Sequence, residues 1–215
     1  QIGNDVQRLF NVMTGFGHID VDGYDKIAAS PHGIRHAIVR MIREEVDIHK
    51  ANNGGGHIIM KCNQLVDPGI IRELYEASRA GVKVECIVRG ICCARPGVPG
   101  VSENITIRSI VGELLEHARI YWFARAGKPV MYIGSADMMQ RNLNGRIEVL
   151  APVQIAKQRD NIMEQIILPQ LADNTNAWIM NPDGSYTRKS PAAGEQPYTS
   201  QDEIRGILNL MKGVK

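Results

Sequence analysis

The chain has 215 residues, of which 44% are hydrophobic, and its formal net charge at pH 7 is +2. A chain of this length can bury most of its apolar surface, so it suits one domain with an extra segment at an end and needs no disulfide or metal to fold. No apolar run approaches the roughly 20 residues that cross a bilayer, and the first residues lack the pattern of a signal peptide. We expect a soluble cytoplasmic protein without a transmembrane segment, and a peripheral position at a membrane stays open.

The four cysteines do not form a metal-binding or redox pattern. Cys62, Cys86, Cys92 and Cys93 lie in or beside apolar runs, and none stands at C-x-x-C spacing. Because free cysteine is among the most buried residue types, we expect reduced thiols in the core.

The beginning of the chain predicts a connecting segment and then a strand and a helix. Residues 1–23 combine a short amphipathic stretch with a glycine-rich turn, which is typical of a linker or of the end of a preceding domain. A short strand is expected at 26–29. Ser30 is a good N-cap and Pro31 suits the first position of a helix whose apolar period continues to about His49.

A βαβ unit follows. The apolar run 57–63 predicts a strand, Asp67 and Pro68 form a cap and first-turn pair, and the helix should end near Gly81. The run 82–88 is the second strand. Two strands joined through a helix in this way must run parallel.

The remaining elements are shorter. After a Gly- and Pro-rich loop, strands are expected at 105–109, 119–123, 130–134 and 146–153, and a helix at 157–172. A hairpin around 182–184 and a short helix capped near Ser200 complete the chain. The pattern predicts an α/β fold with a mixed or parallel sheet flanked by helices, a main domain over 24–190 and a tail over 191–215.

One segment of the chain carries a local excess of positive charge. Between Arg89 and Arg146, eight basic residues face four acids. The loop after a parallel strand is the usual ligand position in α/β folds, and Arg89 and Gly90 stand there. Arginine offers a planar fork of donors to phosphate oxygens, although an arginine at this position could equally pair with an acid.

His117 precedes the strand 119–123, and Arg119 follows two residues later on the same side of the strand. A histidine beside an arginine can act as a general acid or base, or as a nucleophile toward phosphorus. The alternative is a structural histidine bonded to a backbone carbonyl. The other five histidines show no partner at comparable spacing.

A third polar cluster follows the strand 130–134. It comprises Ser135, Asp137, Arg141, Asn142 and Arg146. These residues suit the wall of a polar pocket, or a tight turn rich in capping residues. Lys61 and Asn63, at the end of the strand 57–63, would join the same side, although Lys61 could also extend into solvent. We expect these groups to meet Arg89 and His117 around one anion-sized hollow.

At these residues the sequence resembles polyphosphate kinase of the large bacterial type, in its C-terminal, phospholipase-D-like domain. The resemblance is carried by KCNQLVDPGIIRELYEASRAGVKVECIVRG, LEHARIYWF and YIGSADMMQRNLNGRIEVLAPV. It extends from about Asp5 to about Ser185 and is more specific than any short motif.

The resemblance implies a role in the reversible transfer of the terminal phosphate of ATP to polyphosphate, with Mg²⁺. It implies that His117 and Arg89 contact the nucleotide phosphates and that Arg146 lines the same tunnel. Lys61, Asn63, Ser135, Asp137 and Arg141 are candidates for the same substrate site. The family's phosphorylated histidine and its metal-holding residues belong to a preceding domain that this chain does not contain. We therefore expect ATP or ADP, polyphosphate and the preceding domains as partners, a homo-oligomer at full length, and no nucleic acid.

The pattern from His117 to Arg119, followed by Gly134, Ser135 and Asp137, also resembles the phospholipase D layout of H-x-K and G-S-x-N. It departs from that layout with Arg for Lys, Asp for Asn, and Phe123 where an Asp is expected. The alternatives are a phospholipase-D-like phosphodiesterase, which would need two such sites, and a nucleic-acid-binding module, which would need exposed aromatic side chains among the basic ones.

Overall fold

A computed structural model describes residues 1–17, 23–31 and 33–213 of the chain. The strands are β1 (Ala28–Ala29), β2 (His57–Cys62), β3 (Lys83–Val88), β4 (Ile105–Ile110), β5 (Arg119–Phe123), β6 (Val130–Gly134), β7 (Val149–Pro152), β8 (Ala177–Met180) and β9 (Tyr186–Arg188). Within the described part of the chain they form one nine-stranded sheet in the order β1-β7-β6-β5-β2-β3-β4-β8-β9. β2, β3 and β4 run parallel, and the other neighbours are antiparallel.

Helices cover both faces of this sheet. They are α1 (Ile2–Met13), α2 (Gly33–Ala51), α3 (Pro68–Arg79), α4 (Gln140–Asn144), α5 (Ala156–Ile162), α6 (Leu168–Ala172) and α7 (Ser200–Gly213). A π-helical turn, Met163–Ile167, joins α5 to α6, so the helix expected at 157–172 is continuous but locally widened. The expected α/β class, with a mixed sheet flanked by helices, is confirmed.

The predicted βαβ unit is confirmed at the centre of the sheet. β2 and β3 pair in parallel along their whole length. The carboxylate of Asp67 accepts the N–H of Ile70 at 3.0 Å, which caps α3 as expected. β2 is buried on both faces: Ile58 belongs to the cluster beneath α2 and α3, and Ile59 to the cluster beneath the π turn.

The start of α2 differs from the sequence prediction. The helix begins at Gly33, and the intervening position 32 lies outside the described residues. Ser30 does not cap it. Its hydroxyl donates to the backbone oxygen of Arg146 at 2.7 Å and accepts the N–H of Glu148 at 3.0 Å. Ser30 therefore ties β1 to the approach to β7, a contact that no local pattern could reveal.

The first helix is fixed to the domain through one buried carboxylate. Asp5 on α1 accepts the backbone N–H groups of Asp25, Lys26 and Ile27 at 3.0, 2.7 and 3.1 Å. Burial acts to raise the pKa of Asp5, but these donors outweigh it and hold the pKa below its ordinary value. Leu9 packs on Ile27 in the same region. The described part of the leading segment is therefore a docked helix.

We predict that Asp5→Ala lowers the free energy of unfolding at pH 7 by about 1–3 kcal/mol, because the N–H of Ile27 loses its acceptor in a buried position. The folded pKa of Asp5 is depressed, so its stabilisation is present above the unfolded pKa of about 4 and is lost as pH falls through the folded value. Urea denaturation should therefore show a difference in the free energy of unfolding between the wild type and Asp5→Ala at pH 7. This difference should become smaller below about pH 4. Asp25→Ala is the control, since the Asp25 side chain is 57% exposed. Equal stability of wild type and Asp5→Ala at pH 7 would contradict the assignment.

Candidate functional site

Several strand ends that carry polar residues lie at one edge of the sheet. The carboxyl ends of β2 and β3 are level, because Cys62 pairs with Val88. β5 begins and β6 ends at the same edge, where Arg119 pairs with Gly134. β7 begins there too, with Leu150 opposite Gly134. We call this the carboxyl edge.

Arg89, His117 and Arg146 all lie at the carboxyl edge, but in a row. Arg89 directly follows β3, His117 shortly precedes β5 and Arg146 shortly precedes β7. Two strand spacings, about 10 Å, separate β3 from β5, and two more separate β5 from β7. The strand that Arg89 follows and the strand that Arg146 precedes therefore lie about 19 Å apart, with β5, which His117 precedes, between them. The three residues therefore share one edge of the sheet.

All three side chains retain polar atoms that a ligand could reach. His117 is exposed, and in the ranges that the structure covers no side-chain hydrogen bond occupies its imidazole. The side chain of Arg146 is 53% exposed, with its nearest carboxylate, Glu148, at 4.0 Å. Arg89 is half-buried, and its Nε donates to the side-chain oxygen of Asn63 at 2.8 Å. That bond orients the guanidinium and leaves its two terminal nitrogens for another acceptor.

Asn63 and Asp137 form the buried support of this row. One Asp137 oxygen accepts the backbone N–H of Asn63 at 2.6 Å, and the Asn63 amide donates to the same oxygen at 3.1 Å. Arg119 donates to both Asp137 oxygens, at 3.3 and 3.0 Å. Arg119 also donates to the backbone oxygen of His117 at 2.9 Å. A continuous chain of bonds thus connects Arg89 to His117 through Asn63, Asp137 and Arg119.

Lys61 is not placed to meet a ligand. Its side chain is 2% exposed, and its ammonium donates to Glu116 at 2.9 Å. Burial acts to raise the pKa of Glu116, but the charge of Lys61 and donors from Gln201 and Gln170 outweigh it and lower the pKa below its ordinary value. Lys61 therefore holds the residue next to His117, and its charge is already balanced.

The other candidates divide into exposed and internal groups. Arg141, on α4, is exposed, and its side chain can reach solvent. Ser135 is exposed, and its hydroxyl accepts the N–H of Val149 at 3.2 Å. Asn142 is buried and donates to Glu148, so it supports the chain behind Arg146. Of the remaining histidines, His18 and His32 fall outside the described residues.

The carboxylates at this edge do not suit a divalent cation. Magnesium prefers several oxygen ligands, but Asp137 and Glu116 are each paired with a cationic side chain. Among the described residues, no group of three or more His, Cys, Asp or Glu side chains could hold a metal ion. The same part of the chain contains no helix long and apolar enough to cross a membrane. All four cysteines are free thiols, with Cys62 and Cys86 buried and Cys93 exposed.

A separate cavity of about 470 Å³ lies away from this row, between the outer face of β6 and β7 and the start of α5. Its walls are mainly apolar and include Ile133, Val153 and Ile162. Its lining offers no cation, so the candidate site remains the polar row at the carboxyl edge.

The fold and the residues at the carboxyl edge together define an α/β domain that presents cationic side chains at the ends of its central strands. Residues 27–201 match the family model described as polyphosphate kinase C-terminal domain 2, and the chain belongs to that family.

Relatives and a solved structure agree with this assignment. The chain is 47% identical over 201 residues to polyphosphate kinase of Synechocystis sp., covering 94% of this chain and 27% of that protein. It is 47% identical over 186 residues to polyphosphate kinase 1 of Chlorobaculum tepidum, covering 86% and 26%. The crystal structure of polyphosphate kinase from Porphyromonas gingivalis superposes with a TM-score of 0.89 at 33% identity, covering 98% of this chain and 32% of that one. The chain thus spans about a quarter of the length of these curated relatives.

Sequence reasoning named Asn63 and Asp137 as candidates for binding substrate but missed that they support the site. The pattern H-x-R followed by Gly134, Ser135 and Asp137 was the sign that Arg119 and Asp137 belong together. Glu116 directly precedes His117, so its place in the sequence could have indicated that it supports the site. Gln201, which also contacts Glu116, gives no signal in the sequence.

We predict that Asp137→Ala lowers the free energy of unfolding by about 3–5 kcal/mol, because Arg119 and the N–H of Asn63 lose a shared buried acceptor. Urea denaturation measures the change. Asp160→Ala, which removes an exposed carboxylate on α5, should leave stability unchanged. A loss below about 1 kcal/mol in Asp137→Ala would show that this network is not a major support.

Proposed function

We propose that this chain contributes half of an active site for reversible transfer of the terminal phosphate of ATP to polyphosphate. The observation that carries the proposal is the row of Arg89, His117 and Arg146, whose polar atoms remain available at one edge of the sheet. An extended polyanion can contact cations carried by strands up to about 19 Å apart, whereas a single phosphate contacts only those whose side chains converge on it.

The proposed roles follow from the chemistry of each side chain. Arg89, oriented by Asn63, binds phosphate oxygens through its terminal nitrogens. His117, whose exposed imidazole can donate a hydrogen bond or a proton, stabilises or protonates the transferring phosphoryl group. Arg146 binds the same polyanion farther along the row, and Arg141 and Ser135 lie on its flank. Phosphoryl transfer depends chiefly on positioning and charge stabilisation, which is what such groups supply.

The proposal also requires residues that are not in this chain. Mg²⁺ would enter with the nucleotide, and its protein ligands would come from elsewhere in the enzyme, because the carboxylates here are paired with cations. The phosphorylated histidine implied by the family resemblance would come from there as well. The preceding domains are therefore the proposed partners, together with ATP or ADP and polyphosphate, in a homo-oligomeric cytoplasmic enzyme.

The two alternatives fit the geometry less well. A phosphodiesterase of the phospholipase D layout would use the cation of its H-x-K motif on the substrate, but Arg119 is bonded to Asp137. A nucleic-acid module would need exposed aromatic rings among the basic residues, but in this segment Tyr121 and Phe123 are fully buried and Trp122 and Tyr132 are only partly exposed. The transferase half-site is the function that the observations support best.

We predict that the isolated chain binds tripolyphosphate weakly and makes no polyphosphate from ATP, since a half-site lacks the groups that complete transfer. Calorimetric titration measures the first property and radiolabelled product formation the second. Raised salt should weaken the binding, because the contacts are ionic. Robust polyphosphate synthesis by this chain alone would overturn the proposal.

In the full-length enzyme, Arg89→Ala and His117→Ala should each lower the transfer rate by about 10²–10³-fold, because each removes a partner of the charge that develops on phosphate. Their thermal unfolding should match that of the wild type, since both side chains are at least partly exposed. Lys128→Ala is the matched control, because it removes an exposed cation beside the opposite ends of β5 and β6. Near-normal rates in either site variant would remove that residue from the site.

A further inference from the structure

The loop that carries His117 is held by the last helix of the chain. The loop joins β4 to β5, and Gln201 stands near the start of α7. The Gln201 side chain accepts the N–H of Leu114 at 2.9 Å and donates to the Leu114 carbonyl at 2.8 Å. It also donates to the carboxylate of Glu116 at 2.9 Å. Gln201 is 2% exposed, so these bonds are formed out of water, where a lost partner is costly.

The carboxylate of Glu116, directly before His117, accepts hydrogen bonds from side chains on three separate elements. Lys61 of β2 donates to its Oε2 at 2.9 Å, and Gln170 of α6 donates to the same oxygen at 2.6 Å. Gln201 of α7 occupies its other oxygen. Residues on β2, α6 and α7 thus fix the position of Glu116, and with it the backbone at His117.

Apolar packing does not provide this anchorage. Leu114 is 45% exposed and Leu115 is 68% exposed, so the loop leaves its largest apolar side chains in solvent. Close approach to the helix is built in at Gly112, where an added Cβ would collide with the Gln201 side-chain oxygen. The Gln201 side chain therefore packs closely against the loop at Gly112, and hydrogen bonds rather than apolar contacts fix the loop to α7.

We propose that Gln201 is a positioning residue, which acts through Leu114 and Glu116 to hold His117 in the conformation that meets the phosphate chain. This inference rests on the proposed function, because it assigns His117 to phosphate. Without Gln201 the loop samples other conformations. If the binding-competent one falls to a tenth of the population, the apparent dissociation constant rises about tenfold.

Gln201→Met tests the proposal, since it removes all three hydrogen bonds while keeping a side chain of similar length. Ser200→Ala is the matched control. Ser200 is buried next to Gln201, and its hydroxyl bonds Asp173 at 2.8 Å; Ser200→Ala removes this buried bond but keeps the bond from the Ser200 backbone N–H to Asp173 and all three bonds of Gln201. Both variants should be less stable than the wild type.

The first measurement needs no ligand. In ¹⁵N relaxation experiments on the chain, the amides of Leu115 to His117 should have order parameters of about 0.85 in the wild type and in Ser200→Ala, and below about 0.6 in Gln201→Met. Equal order in Gln201→Met and Ser200→Ala would overturn the positioning role.

The second measurement is the affinity for tripolyphosphate, which we expect to fall about tenfold in Gln201→Met and to stay unchanged per folded molecule in Ser200→Ala. If the wild type does not bind while the order parameters change as expected, the proposed function fails and the mechanical role of Gln201 stands. If the loop loosens but affinity is unchanged, the positioning proposal fails and the proposed function survives.

Gly112→Val provides a second route if Gln201→Met does not fold. It leaves every hydrogen-bonding group in place and pushes the loop away from Gln201. The same rise in mobility and loss of affinity are expected, and a rigid loop with wild-type affinity would contradict the proposal.

Discussion

The arrangement of the carboxyl edge depends on the buried carboxylate of Asp137. Its oxygens accept from the backbone and the side chain of Asn63 and from Arg119, and through them it fixes Arg89 and the backbone at His117. An ionised carboxylate in this position is tolerated only because each oxygen is bonded and the charge is balanced by a guanidinium. The support of the site is therefore an internal ion pair.

The cationic side chains at the carboxyl edge are of two kinds: some are paired with a buried carboxylate, and others are not. Lys61 with Glu116 and Arg119 with Asp137 balance in buried pairs. Arg89 and Arg146 keep guanidinium nitrogens for an external anion. The local excess of basic residues in the sequence thus overstates the charge that a ligand meets, and the structure identifies which cations remain.

Much of the fold could be predicted from local pattern, because Asp67 with Pro68 and the apolar runs on either side specify a βαβ unit by short-range physics. The place of β5, β6 and β7 in the sheet could not, since antiparallel pairing with β2 depends on contacts distant in sequence. Ser30 shows the limit of prediction from local pattern. It fits the rule for an N-cap, but its hydroxyl donates to the backbone oxygen of Arg146, 116 residues away. In the site, the residue types at Arg89 and His117 indicated anion chemistry. The buried charge of Lys61 is balanced by Glu116, which Gln170 also bonds, and no spacing rule connects these three residues.

The departures from the phospholipase D layout have a common physical explanation. A lysine facing an asparagine leaves its charge for the substrate, whereas an arginine facing an aspartate forms a bidentate, charge-neutral pair. At Arg119 and Asp137 both partners differ from that layout, and the two side chains form an internal ion pair. Under the proposed function, phosphate binding falls to residues outside the motif, Arg89 on one side of His117 and Arg146 on the other. If that proposal holds, such a site binds a phosphate chain through several cations and presents one imidazole to it, which suits transfer between two phosphate groups better than hydrolysis of an isolated diester.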